Sequence, residues 1–308
     1  MNTTCHDERA AGRGKWWSVM TWGLMAQRAI KYARWKIASV SEYTRAHVVL
    51  LRLLGLPSYF RFICHFRPSL PNWWGEWVKF QSVNGGRSQG PFSVYLRPLR
   101  HRVLLRPGTT DGQVLWDTFA YPDHLPARST LPLLIWDLGA NIGLSVAQYA
   151  VRFPHARIVG VELDDENTLL ARTNVAPWSD RCEIHTAAVW TEDRELTYTA
   201  TRGQEWCLRI DEAERGSSRV RGISLNTLLH QGQSGGVDFC VMDIEGAERE
   251  VLTRQTGWAE QVRFIAVEVH EPYEVEACER DLSALGFATR VDDGWVLGER
   301  TVTATLPR

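Results

Sequence analysis

The sequence predicts an α/β fold built on a doubly wound, mostly parallel sheet of the Rossmann-like kind. From residue 131 onward, short apolar segments of strand length alternate with amphipathic segments of helix length. This alternation is typical of a parallel sheet that helices cover on both faces. A glycine-containing turn directly after the first of these strands supports the same fold. The final segment, residues 287–299, is predicted to be an antiparallel hairpin.

Three regions are predicted along the 308 residues. Residues 1–75 form a basic helical N-terminal extension, residues 76–130 form a β-rich lead-in, and residues 131–308 form the α/β domain. The strands expected in the lead-in are 77–83, 92–98 and 101–107.

Two segments within these regions carry weaker substrate candidates. In the lead-in, Thr109 or Thr110 is expected to cap a helix, and Asp111 either faces the cleft or caps that helix itself. Residues 193–222 are polar and are predicted to be irregular. Trp206 in this stretch is a candidate lid aromatic over substrate, with an ordinary loop position as the alternative.

The charge is unevenly distributed. Residues 1–100 carry 15 Lys/Arg against 4 Asp/Glu, whereas residues 101–308 carry 20 against 32. Basic helical residues 15–66 are therefore a candidate for peripheral membrane contact, although packing as a cap on the main domain is the favoured alternative. The uncharged run 16–27 is too short to span a bilayer. Because basic residues alternate with aliphatic ones and no recognition motif appears, no nucleic-acid partner is predicted.

Cysteine usage bears on the compartment. The six cysteines are scattered without a CxxC pair, which is neither a zinc pattern nor a small disulfide framework. Free thiols indicate a reducing compartment. The expected location is cytoplasmic, with membrane association through residues 15–66 as the variant.

The turn after the first strand of the α/β domain is the main cofactor candidate. The stretch LLIWDLGANIGLS, residues 133–145, joins an apolar strand to a helix through Asp137, Gly139, Ala140, Asn141 and Gly143. The two glycines are expected to let a ligand approach the backbone, and asparagine tolerates a left-handed conformation. A ligand is therefore expected at the carboxyl end of this strand.

An acid ends the next strand and completes the cofactor site. Glu162, followed by Leu163, lies 19 residues after Gly143, where a carboxylate can accept hydrogen bonds from a ribose diol. The G-x-G-x-x-G pattern of nicotinamide binders is absent, and Asp137 would repel a pyrophosphate but not a sulfonium or an amino group. These features favour S-adenosylmethionine, and a nicotinamide-dependent oxidoreductase is the alternative.

A second group of acids follows the strand predicted at 237–242. Asp243 and Glu245 come directly after it, and Glu248 falls in the first turn of the next helix, where a carboxylate suits the helix dipole. The following strand brings Glu268 and His270 to the same edge of the sheet. Two close acids at a strand end either bind a cation or differ in pKa.

These side chains suggest two ways to activate a hydroxyl group for methylation. In one, His270 or an acid of the Asp243/Glu245 pair accepts the hydroxyl proton. In the other, Mg²⁺ bound by Asp243, Glu245 and Glu268 holds the hydroxyl oxygen. The residues alone leave both open.

The motifs DLGANIGLS, VELDDEN, VDFCVMDIEGAE and AVEVHE resemble the FkbM family of S-adenosylmethionine-dependent methyltransferases, over about residues 101–290. The resemblance implies a class I methyltransferase-like fold and a sugar, secondary-metabolite or glycolipid acceptor. This fold class often holds the adenine at the end of the third strand, so Ala188 and Trp190 are candidates to flank it, with a core position as the alternative for Trp190. The strand at 237–242 is expected to deliver Asp243 beside the cofactor site. Met242 departs from the family, which commonly has Lys there. O-methylation is the favoured activity and N-methylation stays open. A non-catalytic cofactor-binding or membrane-associated accessory protein is a further alternative.

Overall fold

The computed structural model describes residues 90–120, 131–199, 209–210, 218–231, 235–292 and 294–300. All of them lie in a compact unit that runs from Pro68 to Arg308. The predicted helical extension, the candidate membrane contact at 15–66, the strand predicted at 77–83 and Trp206 lie outside the described residues. No helix among the described residues is long and apolar enough to cross a membrane.

The centre of the fold is a seven-stranded sheet, as the sequence predicts. Its order is β12-β13-β11-β10-β3-β4-β5, and the five strands from β11 to β5 run parallel. The strands are β3 (Leu134–Leu138), β4 (Arg157–Glu162), β5 (Cys182–Thr186), β10 (Phe239–Met242), β11 (Phe264–Glu268), β12 (Ala288–Asp292) and β13 (Trp295–Glu299). Chain order reverses between β3 and β10, where a doubly wound sheet opens its ligand cleft.

Apolar runs explain the central strands. Every residue of β10 is buried, and β3 is buried from Ile135 onward, as expected for strands covered on both faces. The covering helices are α2 (Leu144–Arg152), α3 (Asp165–Asn174), α4 (Leu225–Gln231), α5 (Glu248–Thr253) and α6 (Val275–Ala284). Short 3₁₀ turns occupy Ala176–Trp178 and Thr256–Gln261.

The C-terminal hairpin is confirmed. β13 pairs antiparallel with both β12 and β11. This places an antiparallel pair at one edge of the sheet, beside the strand that leads to His270. The strand order, together with this hairpin, is that of a class I methyltransferase-like domain.

The described part of the lead-in is a hairpin followed by a helix. β1 (Phe92–Leu96) pairs antiparallel with β2 (His101–Leu105), and α1 (Asp111–Ala120) follows. Asn174 of α3 ties the hairpin to this helix, because its side chain accepts from the Leu104 N–H and donates to the Leu104 carbonyl. The two strands predicted here are confirmed, and the Thr109 hydroxyl accepts a hydrogen bond from the first N–H of α1.

The prediction that residues 193–222 are irregular is wrong for the part that the structure describes. A second sheet, ordered β6-β9-β7-β8, includes β6 (Ala188–Trp190), β7 (Glu195–Thr199), β8 (Arg209–Ile210) and β9 (Ser218–Ser224). Leu196 and Tyr198 alternate with polar residues along β7, and both are buried. Strands with one solvated face are polar in composition, so only their period of two distinguishes them from a loop.

Gly139 lies where the end of β3 packs closely against the end of β10. It has φ +94°, and a Cβ there would lie 1.8 Å from the carbonyl oxygen of Asp243. Gly143 is similarly close to α3, since a Cβ would lie 2.9 Å from the Ala171 Cα. In the structure both glycines allow close packing of the turn against the protein itself. Their expected role in making room for a ligand stays a prediction.

We therefore expect Gly139→Ala to destabilise the protein by more than ~3 kcal/mol, because the left-handed backbone costs about 1–2 kcal/mol and the overlap with the Asp243 carbonyl adds to it. The matched control is Gly108→Ala, since Gly108 has φ +74° but open space at its Cβ position. Chemical denaturation of both variants measures the difference. Equal losses in the two variants would contradict a close contact between the strand ends.

Candidate functional site

The turn after β3 adopts the conformation that its sequence suggests. Asn141 has φ +46°, in the left-handed region that asparagine tolerates. Its backbone N–H donates to Oε2 of Glu162 over 2.9 Å, so the turn is held by the acid at the end of β4. Ala140 is buried and its N–H donates to the Val161 carbonyl. The predicted cofactor residues of these two strand ends therefore lie together.

Glu162 is a buried carboxylate with remaining acceptor capacity. Its Oε1 accepts from the Asp164 N–H at 2.9 Å and from the Asn167 side chain at 3.4 Å. With the Asn141 bond, three of about four lone-pair positions are occupied. Burial raises the pKa of Glu162 to about 7, although the three hydrogen bonds lower it and nearby Asp164 raises it. A ribose hydroxyl would find one acceptor position here.

Asp137 is a second buried carboxylate near the turn. It is 3% exposed, and its Oδ2 accepts from the Ser145 hydroxyl at 2.5 Å. Burial raises its pKa to about 7, against the lowering effect of Ser145 and with a further rise from the charge of Glu162. In the described part of the chain, no Lys, Arg or His forms an ion pair with Asp137 or Glu162. A cationic ligand would supply the missing positive charge.

A small apolar cluster joins the cofactor side to the acid turn. It combines residues of the second sheet with residues that flank both groups of acids. Its members are Leu163, Ala188, Trp190, Leu196, Tyr198, Val220, Ile244 and Ala247. Ala188 and Trp190 are buried in it, and the Tyr198 hydroxyl donates to Asp164 at the start of α3. The second sheet thus supports the segments on either side of the cleft.

The acids after β10 lie in a tight turn. Glu245 has φ +54° and Gly246 has φ +110°, so two successive residues have left-handed φ values. Such a conformation is costly for a glutamate and recurs at functional sites. The turn leads into α5, whose first residue, Glu248, is fully buried.

Glu248 holds His270. Its Oε1 lies 2.8 Å from Nδ1 of His270 and also accepts from the Gly246 N–H at 3.1 Å. This partnership is the main element that the sequence reasoning missed, since Glu248 was interpreted through its place in the helix. The available signal was that both residues follow adjacent parallel strands and so meet at one edge of the sheet.

The other ring nitrogen of His270 faces two carboxylates. Its Nε2 lies 3.4 Å from Oε2 of Glu245 and 3.6 Å from Oδ1 of Asp243. Burial lowers the pKa of His270, but the hydrogen bond to Glu248 and the charges of Glu245, Glu248 and Glu268 outweigh it, so the pKa lies above its usual value. In this state the imidazole holds a proton more firmly than a free histidine does.

Asp243 spans the boundary between interior and cleft. Its side chain is 39% exposed, yet its Oδ1 is buried. Burial and then the charges of Glu268, Glu245 and Glu248 raise its pKa well above the usual range. Because Oδ1 is buried, the exposure comes from the rest of the side chain.

Asp243, Glu245 and His270 also form a candidate metal cluster. One ligand atom from each lies within 4.8 Å of the other two. The predicted metal set of Asp243, Glu245 and Glu268 therefore differs from the cluster in one member, since His270 takes the place of Glu268. Glu268 ends β11 nearby, and its charge contributes to the raised pKa of Asp243.

Two acids of helix α1 differ from the sequence expectation. Asp117 was not singled out in the sequence but is affected by Glu268, whereas the substrate candidate Asp111 is bound by Arg106. The pKa of Asp117 is raised to about 6, by partial burial first and then by the charge of Glu268. Nothing in the sequence pairs this helix with the sheet edge. Asp111 is 1% exposed, and Arg106 binds both of its carboxylate oxygens. We therefore leave Asp111 out of the acceptor side of the site.

Comparison with known proteins identifies the domain. Residues 137–288 match the family model of the Methyltransferase FkbM domain. This range contains both groups of acids, the glycine turn and the second sheet. The family match favours the methyltransferase prediction over the oxidoreductase alternative.

Individual relatives differ in what they act on. The tRNA1(Val) (adenine(37)-N6)-methyltransferase of Vibrio cholerae serotype O1 is 26% identical over 167 residues, which cover 49% of this chain and 65% of that protein. The hexuronic acid methyltransferase AglP of Haloferax volcanii is 23% identical over 179 residues, which cover 54% of this chain and 70% of that protein. The chain thus spans just under two thirds of the first relative.

Among solved structures, the precorrin-6y C5,15-methyltransferase of Geobacter metallireducens aligns with a TM-score of 0.36 and 11% identity, over 56% of this chain and 82% of that one. The domain assignment does not depend on this alignment. It follows from the family match, which includes the residues of both strand ends described above. Residues 137–288 of the chain are therefore similar to the FkbM methyltransferase domain.

Proposed function

We propose that this chain binds S-adenosylmethionine at the Gly139 turn and methylates a hydroxyl group of a sugar or other small molecule. The observation that carries the proposal is the contact between Gly139 and the Asp243 carbonyl. It brings the end of the cofactor strand directly against the acids of the next strand. A methyl donor on one side and an acceptor on the other would then be neighbours, which is what an in-line transfer requires.

The residues present fit this cofactor. S-adenosylmethionine, when bound, supplies an activated methyl group on a sulfonium. Asp137 and Glu162 are buried and both have a pKa near 7, so a positively charged ligand would stabilise their ionised forms. Glu162 retains a position for a ribose hydroxyl, and Leu163 and Ala188 offer apolar flanks for an adenine. Gly139 and Gly143 keep the turn in place, and Asn141 binds it to Glu162.

The side chains beside the acceptor can hold and move a proton. Glu248 fixes the ring of His270 through Nδ1, which directs Nε2 towards Asp243 and Glu245. Burial and the charges of Glu268, Glu245 and Glu248 raise the pKa of Asp243 well above its usual value, so its carboxylate is a stronger base than that of an exposed aspartate. We assign Oδ2 of Asp243 as the atom that takes the hydroxyl proton, with His270 as its neighbour in the cluster.

The charge of the site favours a small acceptor over a nucleic acid. Asp243, Glu245, Glu248 and Glu268 lie at this edge of the sheet, and a phosphate backbone needs cationic partners. Relatives named as tRNA methyltransferases nevertheless keep nucleic acid among the acceptors to be tested. A sugar-derived acceptor has a relative that supports it, since AglP is named as a hexuronic acid methyltransferase.

The acceptor class is tested by transfer from labelled S-adenosylmethionine to three substrates, namely neutral sugars, hexuronic acids and unmodified tRNA. We expect label in a sugar ether, identified by mass spectrometry, because the acids around Asp243 can remove a hydroxyl proton. Asp243→Asn should lower that transfer at least ~100-fold, within the usual range for a general base. Methylation of an adenine in tRNA, with no sugar product, would overturn the proposed acceptor.

Cofactor binding is tested at the end of β4. Glu162→Gln should weaken S-adenosylhomocysteine binding by ~10- to 100-fold, because a hydrogen bond to a charged group contributes about 1.5–3 kcal/mol. Isothermal titration calorimetry measures it, with NAD as the ligand control. Glu166→Gln is the matched variant, since Glu166 lies four residues further on and its side chain is 86% exposed. Similar losses of S-adenosylhomocysteine affinity in both variants would contradict a role for Glu162 in cofactor binding.

The buried acid of β3 predicts a pH-dependent stability. Because the pKa of Asp137 is raised from 3.8 to about 7, the folded chain binds this proton more tightly than the unfolded chain. The stabilisation that comes from this tighter proton binding is complete below about pH 4 and is lost as the pH rises to about 7. Asp137→Asn keeps a hydrogen-bonding side chain but removes the charge.

We therefore expect the thermal midpoint of the cofactor-free protein to fall more between pH 5 and pH 8 than that of the Asp137→Asn variant. Differential scanning calorimetry across this range provides the measurement. Asp165→Asn, at an exposed position of α3, is the control and should follow the unsubstituted protein. Parallel pH profiles for all three proteins would show that Asp137 is ionised equally in both states.

A further inference from the structure

The cluster of Asp243, Glu245 and His270 has the dimensions of a metal site. The two distances from His270 Nε2 to the carboxylate oxygens are 3.4 and 3.6 Å. These exceed a good hydrogen bond. They are close to the separation of two ligand atoms that share one ion, which is about 3.0–3.5 Å when each bond is about 2.1 Å long. The three atoms, which all lie within 4.8 Å of one another, are close enough to share one ion.

The histidine is oriented as metal-binding histidines are. A ligating imidazole usually donates its second N–H to a carboxylate, which fixes the ring and its tautomer. Glu248 fills this role, because its Oε1 is 2.8 Å from Nδ1 and its side chain is fully buried. With an ion bound, a proton on Nδ1 donated to Glu248 would leave the Nε2 lone pair for the ion.

The Oδ1 atom of Asp243 is buried and lacks a hydrogen-bond donor in the described ranges. A buried carboxylate oxygen without a donor is costly, and this one faces the cluster at 3.6 Å from His270. A cation at the centre of the three ligand atoms would satisfy it.

We propose that Asp243, Glu245 and His270 bind one divalent transition-metal ion. The ligand set explains the choice of ion, since Mg²⁺ prefers an all-oxygen shell whereas imidazole favours ions such as Co²⁺ and Zn²⁺. This site differs from the Mg²⁺ site predicted from the sequence both in its ion and in having His270 where Glu268 was expected. An ion here would neutralise the acids that face the acceptor and offer a binding position to an acceptor oxygen.

The role of the ion in acceptor binding rests on the proposed methyltransferase function, but the site itself does not. The test uses the full chain, freed of metal with a chelator, and titrates it with Co²⁺ alone. We expect one ion per chain with a micromolar dissociation constant, read by calorimetry and by the visible spectrum of bound Co²⁺. Mg²⁺ should bind at least ~10-fold more weakly.

Variants separate the ligands from their neighbours. His270→Ala and Glu245→Gln should each weaken Co²⁺ binding at least ~10-fold and change the visible spectrum. Glu248→Gln should weaken binding ~10- to 100-fold, the usual effect of losing the partner of a ligating histidine. His185→Ala is the matched control, because His185 also lies beside a glutamate, Glu183, at 3.2 Å but outside the cluster.

Three results would overturn the proposal. They are the absence of Co²⁺ binding to the unsubstituted chain, equal affinity in the His270→Ala and His185→Ala variants, and a loss in Glu268→Gln as large as that in His270→Ala. S-adenosylhomocysteine binding to each metal-free protein shows that the variant is folded. If that binding persists while Co²⁺ binding fails, the metal site is wrong and the proposed function stands. If Co²⁺ binds but S-adenosylhomocysteine does not bind to the unsubstituted chain, the metal site is supported and the proposed function is wrong.

Discussion

The contact between Gly139 and the carbonyl of Asp243 is the constraint from which the site follows. β3 and β10 are neighbours in register, with Leu138 opposite Met242, so each strand delivers its next residue to the same point. Any side chain at position 139 would force these two strand ends apart. Close packing at this point lets a cofactor strand and an acid turn share one cleft.

Burial of acids is the second determinant of the site. Asp137, Glu162 and Glu248 are each less than 7% exposed. Removing carboxylates from water is unfavourable, and it raises the pKa of Asp137, Glu162 and Asp243. A fold that needed only stability would place apolar residues at these positions. Their retention at one edge of the sheet is consistent with a role in ligand binding.

Much of this arrangement could be predicted because it depends on local patterns. Apolar runs identify β3, β10 and β11, and parallel strands bring Asp243 and His270 to one edge. The order of the strands indicates that Glu248 and His270 reach one edge of the sheet, but the hydrogen bond between them depends on where α5 starts relative to β11, which spacing along the chain does not give. Asp117 approaches Glu268 through the packing of α1, and the strands at 195–224 were hidden by their polar faces.

The two groups of acids differ in the donors that surround them, and this difference separates their ligands. Glu162 is bound by backbone and amide N–H groups, which orient it while leaving it to accept hydroxyl hydrogen atoms from an organic molecule. Asp243 and Glu245 instead face a ring nitrogen that carries a lone pair when its proton is on Nδ1. With an ion bound, that lone pair and the two carboxylates would form a coordination set. In the two proposals the cationic cofactor lies beside Asp137 and Glu162 and the metal ion beside Asp243 and Glu245, so that separate carboxylates offset the charge of each.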